Sequence, residues 1–137
     1  MIERLLIVVV LAVVAFVGYR LFTRQQIRHA SKHAPSDPLL SHRKDGVPMI
    51  VYFTTPTCAP CKFQQTPTLN KLQTELGNHK LQVIRVDATE DPEAADRWGV
   101  FSVPTTFVVD HQGTPRHVHN GVVSAELLKS QIEAISA

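Results

Sequence analysis

From Leu5 to Phe22 the chain runs LLIVVVLAVVAFVGYRLF, eighteen residues with one charge, Arg20, near the end. No other feature narrows the fold as much, because an apolar run of this length has to be hidden from water as one piece. As a helix it is ~27 Å long at ~1.5 Å per residue, close to the ~30 Å hydrocarbon core of a bilayer, and Arg20 can snorkel to the headgroups. A cleaved leader or a buried core helix fits less well. A leader starts with a basic segment and ends in a small-x-small site, whereas this chain starts Met1-Ile2-Glu3-Arg4 and the run closes on Gly18-Tyr19-Arg20. Residues 1–23 are therefore expected to be a single-pass transmembrane anchor.

The remaining length leaves room for one domain. Charge divides the chain the same way: residues 1–46 hold seven Lys/Arg against three Asp/Glu, and residues 47–137 hold seven against nine. The basic front lies beside the apolar run and does not interleave with aromatics, so membrane lipid is the expected partner and nucleic acid is not. Residues 24–46 lose the apolar periodicity and gain Pro, Ser, His and charge, the pattern of a linker that can begin as a helical extension of the anchor. His29, His33 and His42 in this stretch read as solvated residues and not as metal ligands.

Residues 47–137 alternate. Val47 to Thr54 is a short β-branched and aromatic run, read as a buried strand. Ala59 to Leu76 places Phe63, Leu69, Leu72 and Leu76 on one helical face and stops at Gly77. Leu81 to Val86 reads as a strand; Asp91 and Pro92 open a short helix ending near Trp98. Thr105 to Val109 and Arg116 to His119 flank the turn Asp110-His111-Gln112-Gly113, and Ser124 caps a final helix carrying Leu127, Leu128, Ile132 and Ile135. This order implies a parallel core with right-handed crossovers and an antiparallel edge.

The chain has two cysteines, Cys58 and Cys61, and none left over. Cys58 falls after a strand and at the start of a helix, where unpaired N–H groups and the helix dipole favour the thiolate. Cys61 lies three residues on, within reach of a mixed disulfide at Cys58, and Pro60 stiffens the loop where the helix has no use for an N–H. Structural zinc would need a second pair, and His117 and His119 stand about sixty residues away on a different element. A structural bridge closing so short a loop would restrict the unfolded chain little.

Residues 47–137 resemble the thioredoxin family in three segments: Tyr52-Phe53-Thr54-Thr55-Pro56-Thr57-Cys58-Ala59-Pro60-Cys61-Lys62, Trp98-Gly99-Val100-Phe101-Ser102-Val103-Pro104-Thr105, and Gly121 before the last helix. The resemblance implies an α/β, thioredoxin-like fold, a central mixed sheet flanked by helices. It implies catalysis by Cys58 and Cys61, supported by Ala59, Pro60 and Lys62, and a cis Val103-Pro104 peptide where an extended substrate pairs with Val103. It also implies no cofactor beyond the Cys58–Cys61 redox-active disulfide. Partners would be protein thiols or disulfides and an upstream reductase or thiol protein.

The departures from that family are specific. Tyr52 stands where thioredoxins bury an aspartate, Val83 where they have a lysine, Thr57 where a tryptophan precedes the first cysteine, and Ala59 where a glycine is usual. The helix proline, normally five residues after the second cysteine, is Pro67, six after it.

The expected function is that of a membrane-anchored thiol-disulfide oxidoreductase. The alternative is a redox-inactive module of the same fold that binds peptides or scaffolds. Anchored bacterial relatives commonly face the extracytoplasmic side, but Arg20, Arg24, Arg28 and Lys32 follow the span whereas only Arg4 and the α-amino group precede it. That bias places the domain on the cytoplasmic face.

Overall fold

Five consecutive residues, Met49 to Phe53, are buried on both faces of one strand, and the rest of the domain is layered around them. The computed structural model describes residues 1–136, Pro35 by its backbone alone; residue 137, the last of the expected domain, lies outside the described residues. Strand β1 (Met49–Thr54) pairs with β2 (Gln82–Asp87) in parallel and with β3 (Thr105–Val109) antiparallel, and β3 pairs with β4 (Pro115–Asn120) antiparallel. The order is β2-β1-β3-β4.

The parallel pairing expected of the core is thus confined to β1 and β2. The connection from β2 to β3 explains why: α3 (Pro92–Arg97) has six residues. Six helical residues cover ~9 Å, too little to carry the chain back along a ~20 Å strand. Strand β3 therefore starts at the end where β2 stops.

Helices cover both faces. On one side Phe53, Phe107, Val109 and Val118 pack with Trp98; its ring stands 5.0 Å from Phe107 and 6.3 Å from Phe53, centroid to centroid. On the other side Ile50, Tyr52 and Val108 meet α2 (Thr66–Leu76) and α4 (Ala125–Ser136), which bury Leu69, Leu72, Leu128 and Ile132. Ser124 Oγ accepts from Leu127 N–H at 3.3 Å and starts α4, and Leu127 itself is exposed. Thr106 Oγ1 is buried with no hydrogen-bond partner among the described residues.

Helix α1 (Ile2–His33) is continuous over 32 residues. Its apolar window has a mean hydropathy of 2.7 and no buried residue, and it is long and apolar enough to cross a membrane. The stretch expected as a linker is packed instead. Gln26, Ala30, Ala34, Asp37 and Leu40 are all buried, on α1 and on the two 3-10 turns that follow it, Ala34–Ser36 and Pro38–Leu40. The sequence pattern hid this because most of the buried residues here are alanines or polar, and Ile27, Leu39 and Leu40 are too scattered to set up a helical period.

Asp37 ties this segment to α3. Its carboxylate accepts from Trp98 Nε1 at 2.9 Å, from Arg97 Nε at 3.0 Å and from Leu39 N–H at 2.9 Å. Burial alone would raise this carboxyl, but the bonds from Arg97, Leu39 and Trp98 outweigh it and hold it below the usual carboxylate range.

Replacing Asp37 with Asn should cost about 2–3 kcal/mol, less than the ~3–5 kcal/mol for breaking a fully buried pair, since Arg97 keeps part of its side chain in water. Because the folded carboxyl is depressed, its contribution is complete above the unfolded value of about 4 and is lost as pH falls through the folded value. Denaturant midpoints measured against pH should show that acid-sensitive step reduced in Asp37→Asn. A variant as stable as the native chain, with the same acid profile, would contradict this assignment.

Candidate functional site

Strand β1 delivers the chain through Thr55 to Thr57 into a helix whose first residues are Ala59 and Pro60. Cys58 N–H donates to Thr55 carbonyl at 3.2 Å, which closes this turn and places Cys58 at the helix N-terminus. Pro60 has φ −59° and ψ −33°, helical values that its ring favours, and Lys62 N–H donates to Cys58 carbonyl at 3.1 Å. Cys58 and Cys61 are joined as a disulfide, with Cα atoms 5.2 Å apart. Cys61 N–H points at Cys58 Sγ, 3.2 Å away, so the sulfur that would carry negative charge in the dithiol form already faces a helix N-terminal donor. Cys58 is 9% exposed and Cys61 1%. Ala59, Pro60 and Lys62 are exposed beside them, with Lys62 Nζ 5.4 Å from the Phe63 ring centroid.

Beyond Cys61 the helix is irregular. Cys61–Gln65 forms a π-helical turn before α2 begins at Thr66. A π turn takes up one residue more than an α turn. That matches the extra residue before Pro67. It also re-phases the helix: Phe63, expected on the apolar face, is 71% exposed, and Gln65 is fully buried in its place. Gln65 grips the backbone of Val123 from both sides, accepting from its N–H at 2.8 Å and donating Nε2–H to its carbonyl at 3.3 Å.

The Val103–Pro104 peptide is cis, as the family resemblance implies. Pro104 carbonyl accepts from Gly121 N–H at 2.8 Å, and Val103 packs against the cluster that contains Cys58, Cys61, Tyr52 and Val123. Three segments distant in sequence therefore meet at one end of the sheet: the cysteine turn, the Val103-Pro104 loop and the Gly121–Val123 loop.

Tyr52, in the position of the family's aspartate, is fully buried, and its hydroxyl pairs with Thr66 Oγ1 at 3.2 Å. Its ring also lies under Arg85, 5.9 Å from the guanidinium carbon. The site offers a pair of hydroxyls where those relatives have a carboxylate. Asp87 closes its own turn, accepting from Thr89 N–H and Oγ1. His119 bonds Gln131 at 2.8 Å; burial, with His119 and Arg116 alongside, pushes the His117 ring below its ordinary value.

Gln65, Thr66 and the Gly121–Val123 loop were not picked out from sequence as site residues. The six-residue spacing from Cys61 to Pro67 was the available signal, and it implies an irregular turn without saying which side chain the turn brings inward.

A family model described as Thioredoxin matches residues 39–134. Among curated proteins, the chain is 32% identical over 91 residues to the chloroplast thioredoxin Y of Oryza sativa, covering 66% of this chain and 52% of that protein. It is 40% identical over 65 residues to the thioredoxin of Bacillus subtilis, covering 47% of this chain and 60% of that one. The chain thus spans a little over half the length of these relatives. Similar solved structures include a malaria parasite thioredoxin-2, at TM-score 0.58 and 24% identity over 64% of this chain and 82% of that one. A point mutant of Halobacterium salinarum thioredoxin matches at TM-score 0.58 and 24% identity, over 66% and 75% of the two chains. These two likenesses bear on the fold alone.

Proposed function

The chain belongs to the thioredoxin family, and from that premise we propose that it is a membrane-anchored thiol-disulfide oxidoreductase acting on disulfides of partner proteins. The observation that carries this reading is the Cys58–Cys61 pair itself, closed as a disulfide at a helix N-terminus with Cys58 the more exposed residue. In the reducing direction the Cys58 thiolate attacks one sulfur of a substrate disulfide and expels the other as a thiolate. Cys61 then attacks Cys58 Sγ and releases the second substrate thiolate, leaving the pair oxidised and the substrate reduced by two electrons. A thiol protein or reductase restores the dithiol. No cofactor is needed, since the electrons reside in the sulfur pair.

In the same reading we assign the remaining roles. Ala59, Pro60 and Lys62 frame the cysteine turn, and the backbone of Val103, held by Pro104, receives an extended substrate segment. The Tyr52 and Thr66 hydroxyls take the place of a carboxylate near the resolving sulfur, so proton release from Cys61 relies on neutral groups. The folded domain begins within α1 at about Gln26, and the apolar stretch before it is the anchor.

An insulin-reduction assay with dithiothreitol as electron source tests the activity. The full chain in detergent should accelerate insulin precipitation, and Cys58→Ser should abolish that acceleration. Equal rates for the two would favour the redox-inactive, peptide-binding alternative. The Lys/Arg bias around the span supports a cytoplasmic domain. An alkaline phosphatase fused after the last residue should then stay inactive in cells; strong activity would place the domain outside.

A further inference from the structure

Helix α1 enters the domain at a particular end. Phe22, the last residue of the apolar run, stacks edge-on against Phe101 with ring centroids 5.3 Å apart, and Phe101 is two residues before the Val103–Pro104 peptide. One turn further on, Gln26 Nε2 donates to Gly99 carbonyl at 3.0 Å and pairs through its amide with Asn120 at 3.1–3.2 Å. Asn120 precedes Gly121, which bonds Pro104. The chain after α1 then reaches the opposite end of the sheet, where the Leu40 side chain comes within 3.7 Å of the space a Cβ on Gly113 would fill, at the β3–β4 turn. So α1 runs from the cysteine end of the domain to the far end, and its apolar part continues outward from the cysteine end.

The distances are short. Phe22 to Gln26 is ~6 Å along a helix, comparable to the ~5–7 Å headgroup layer on one side of a bilayer. Beyond the apolar run, the exposed large apolar side chains among the described residues are Phe63, Phe101, Val122 and Leu127. Three of the four belong to the segments that carry the site: Phe63 follows Cys61, Phe101 precedes Val103, and Val122 lies between Gly121 and Val123. Exposed Arg24, on the first turn past the run, suits the same headgroup level.

We propose that the docked helix holds the Cys58–Cys61 end of the domain facing the bilayer, so that its substrates are disulfides of membrane proteins lying close to the membrane surface. This deepens the oxidoreductase reading and rests on it, including its anchor. A flexible tether would let the pair sample any height above the membrane. A helix locked by Gln26, Ala30 and Ala34 fixes that height, and raises the effective concentration of disulfides at headgroup level over those far above it.

The test uses the full chain in phosphatidylcholine nanodiscs together with a single-span reporter peptide carrying one disulfide loop. The loop sits either next to the reporter's span or at the end of a rigid helical spacer of about 60 Å. The native chain should reduce the near loop about tenfold faster than the far one. Twelve Gly/Ser residues inserted between Thr23 and Arg24, with an r.m.s. span of roughly 20 Å, should lower that ratio several-fold while leaving insulin reduction unchanged. Equal near and far rates in the native chain, or a ratio that survives the insertion, would overturn the proposal with the redox reading intact. Failure to reduce insulin as well would sink the redox reading instead. Placement is then judged without turnover, in a Cys58→Ser, Cys61→Ser chain carrying a fluorophore at Phe63→Cys or at Gln112→Cys. Doxyl lipids should quench the label at position 63 much more strongly than at 112, and equal quenching would overturn the proposed placement.

Discussion

Ala30 and Ala34 carry no side-chain atoms beyond Cβ, and this lets α1 lie against α3 and the sheet with both residues fully buried. The approach brings His29 and Gln26 within 3.4 and 3.7 Å of the space a Cβ on Gly99 would fill, and the glycine's φ of 68° is one that side chains rarely adopt. Everything on that face of the sheet depends on this docking. Without α1 and the turns that follow it, the cluster of Phe53, Trp98, Phe107 and Val118 would lose its cover, and Trp98 Nε1 would lose its carboxylate partner Asp37. The same helix carries the apolar run, so one element answers to two solvents: a protein core along its last turns and, in our account, lipid along its first.

The opposite face has a comparable device at shorter range. The π turn at Cys61–Gln65 shifts the helix phase by one residue, turning Phe63 outward and Gln65 inward. Gln65 satisfies both the N–H and the carbonyl of Val123, groups that would cost roughly 1–3 kcal/mol each if left buried and bare. The Gly121–Val123 loop is thereby held against the helix that bears the cysteines, and Gly121 in turn holds Pro104. The rigidity of the site comes from this chain of backbone contacts; the exposed side chains around it are free to meet a partner.

Much of this was legible beforehand, and the failures have physical causes. The strands and the cysteine turn follow from β-branched runs and turn residues that act locally, so residues such as Asp91, Ser124 and Pro60 sit where their chemistry implies; the cis peptide was implied by the family resemblance alone. Three features were not legible. The antiparallel setting of β3 depends on α3 being too short to return the chain, which alternating elements do not reveal. The packing of residues 26–40 relies on Ala30, Ala34, Gln26 and Asp37 beside a few scattered apolar residues such as Leu40, and hydrophobic periodicity is blind to the small and hydrogen-bonded contacts among them. The exchange of Phe63 for Gln65 followed from a helix irregularity that an ideal 3.6-residue period cannot represent.

In the proposed mechanism Cys58 attacks and Cys61 resolves. Covalent trapping tests it most directly: the full chain with Cys61→Ser, mixed with a disulfide-bonded protein substrate, should accumulate a mixed disulfide through Cys58, visible as a band that disappears on reduction. The Cys58→Ser chain should trap nothing. Trapping through Cys61 alone would reverse the roles, and substrate binding with no covalent adduct in either variant would contradict the account.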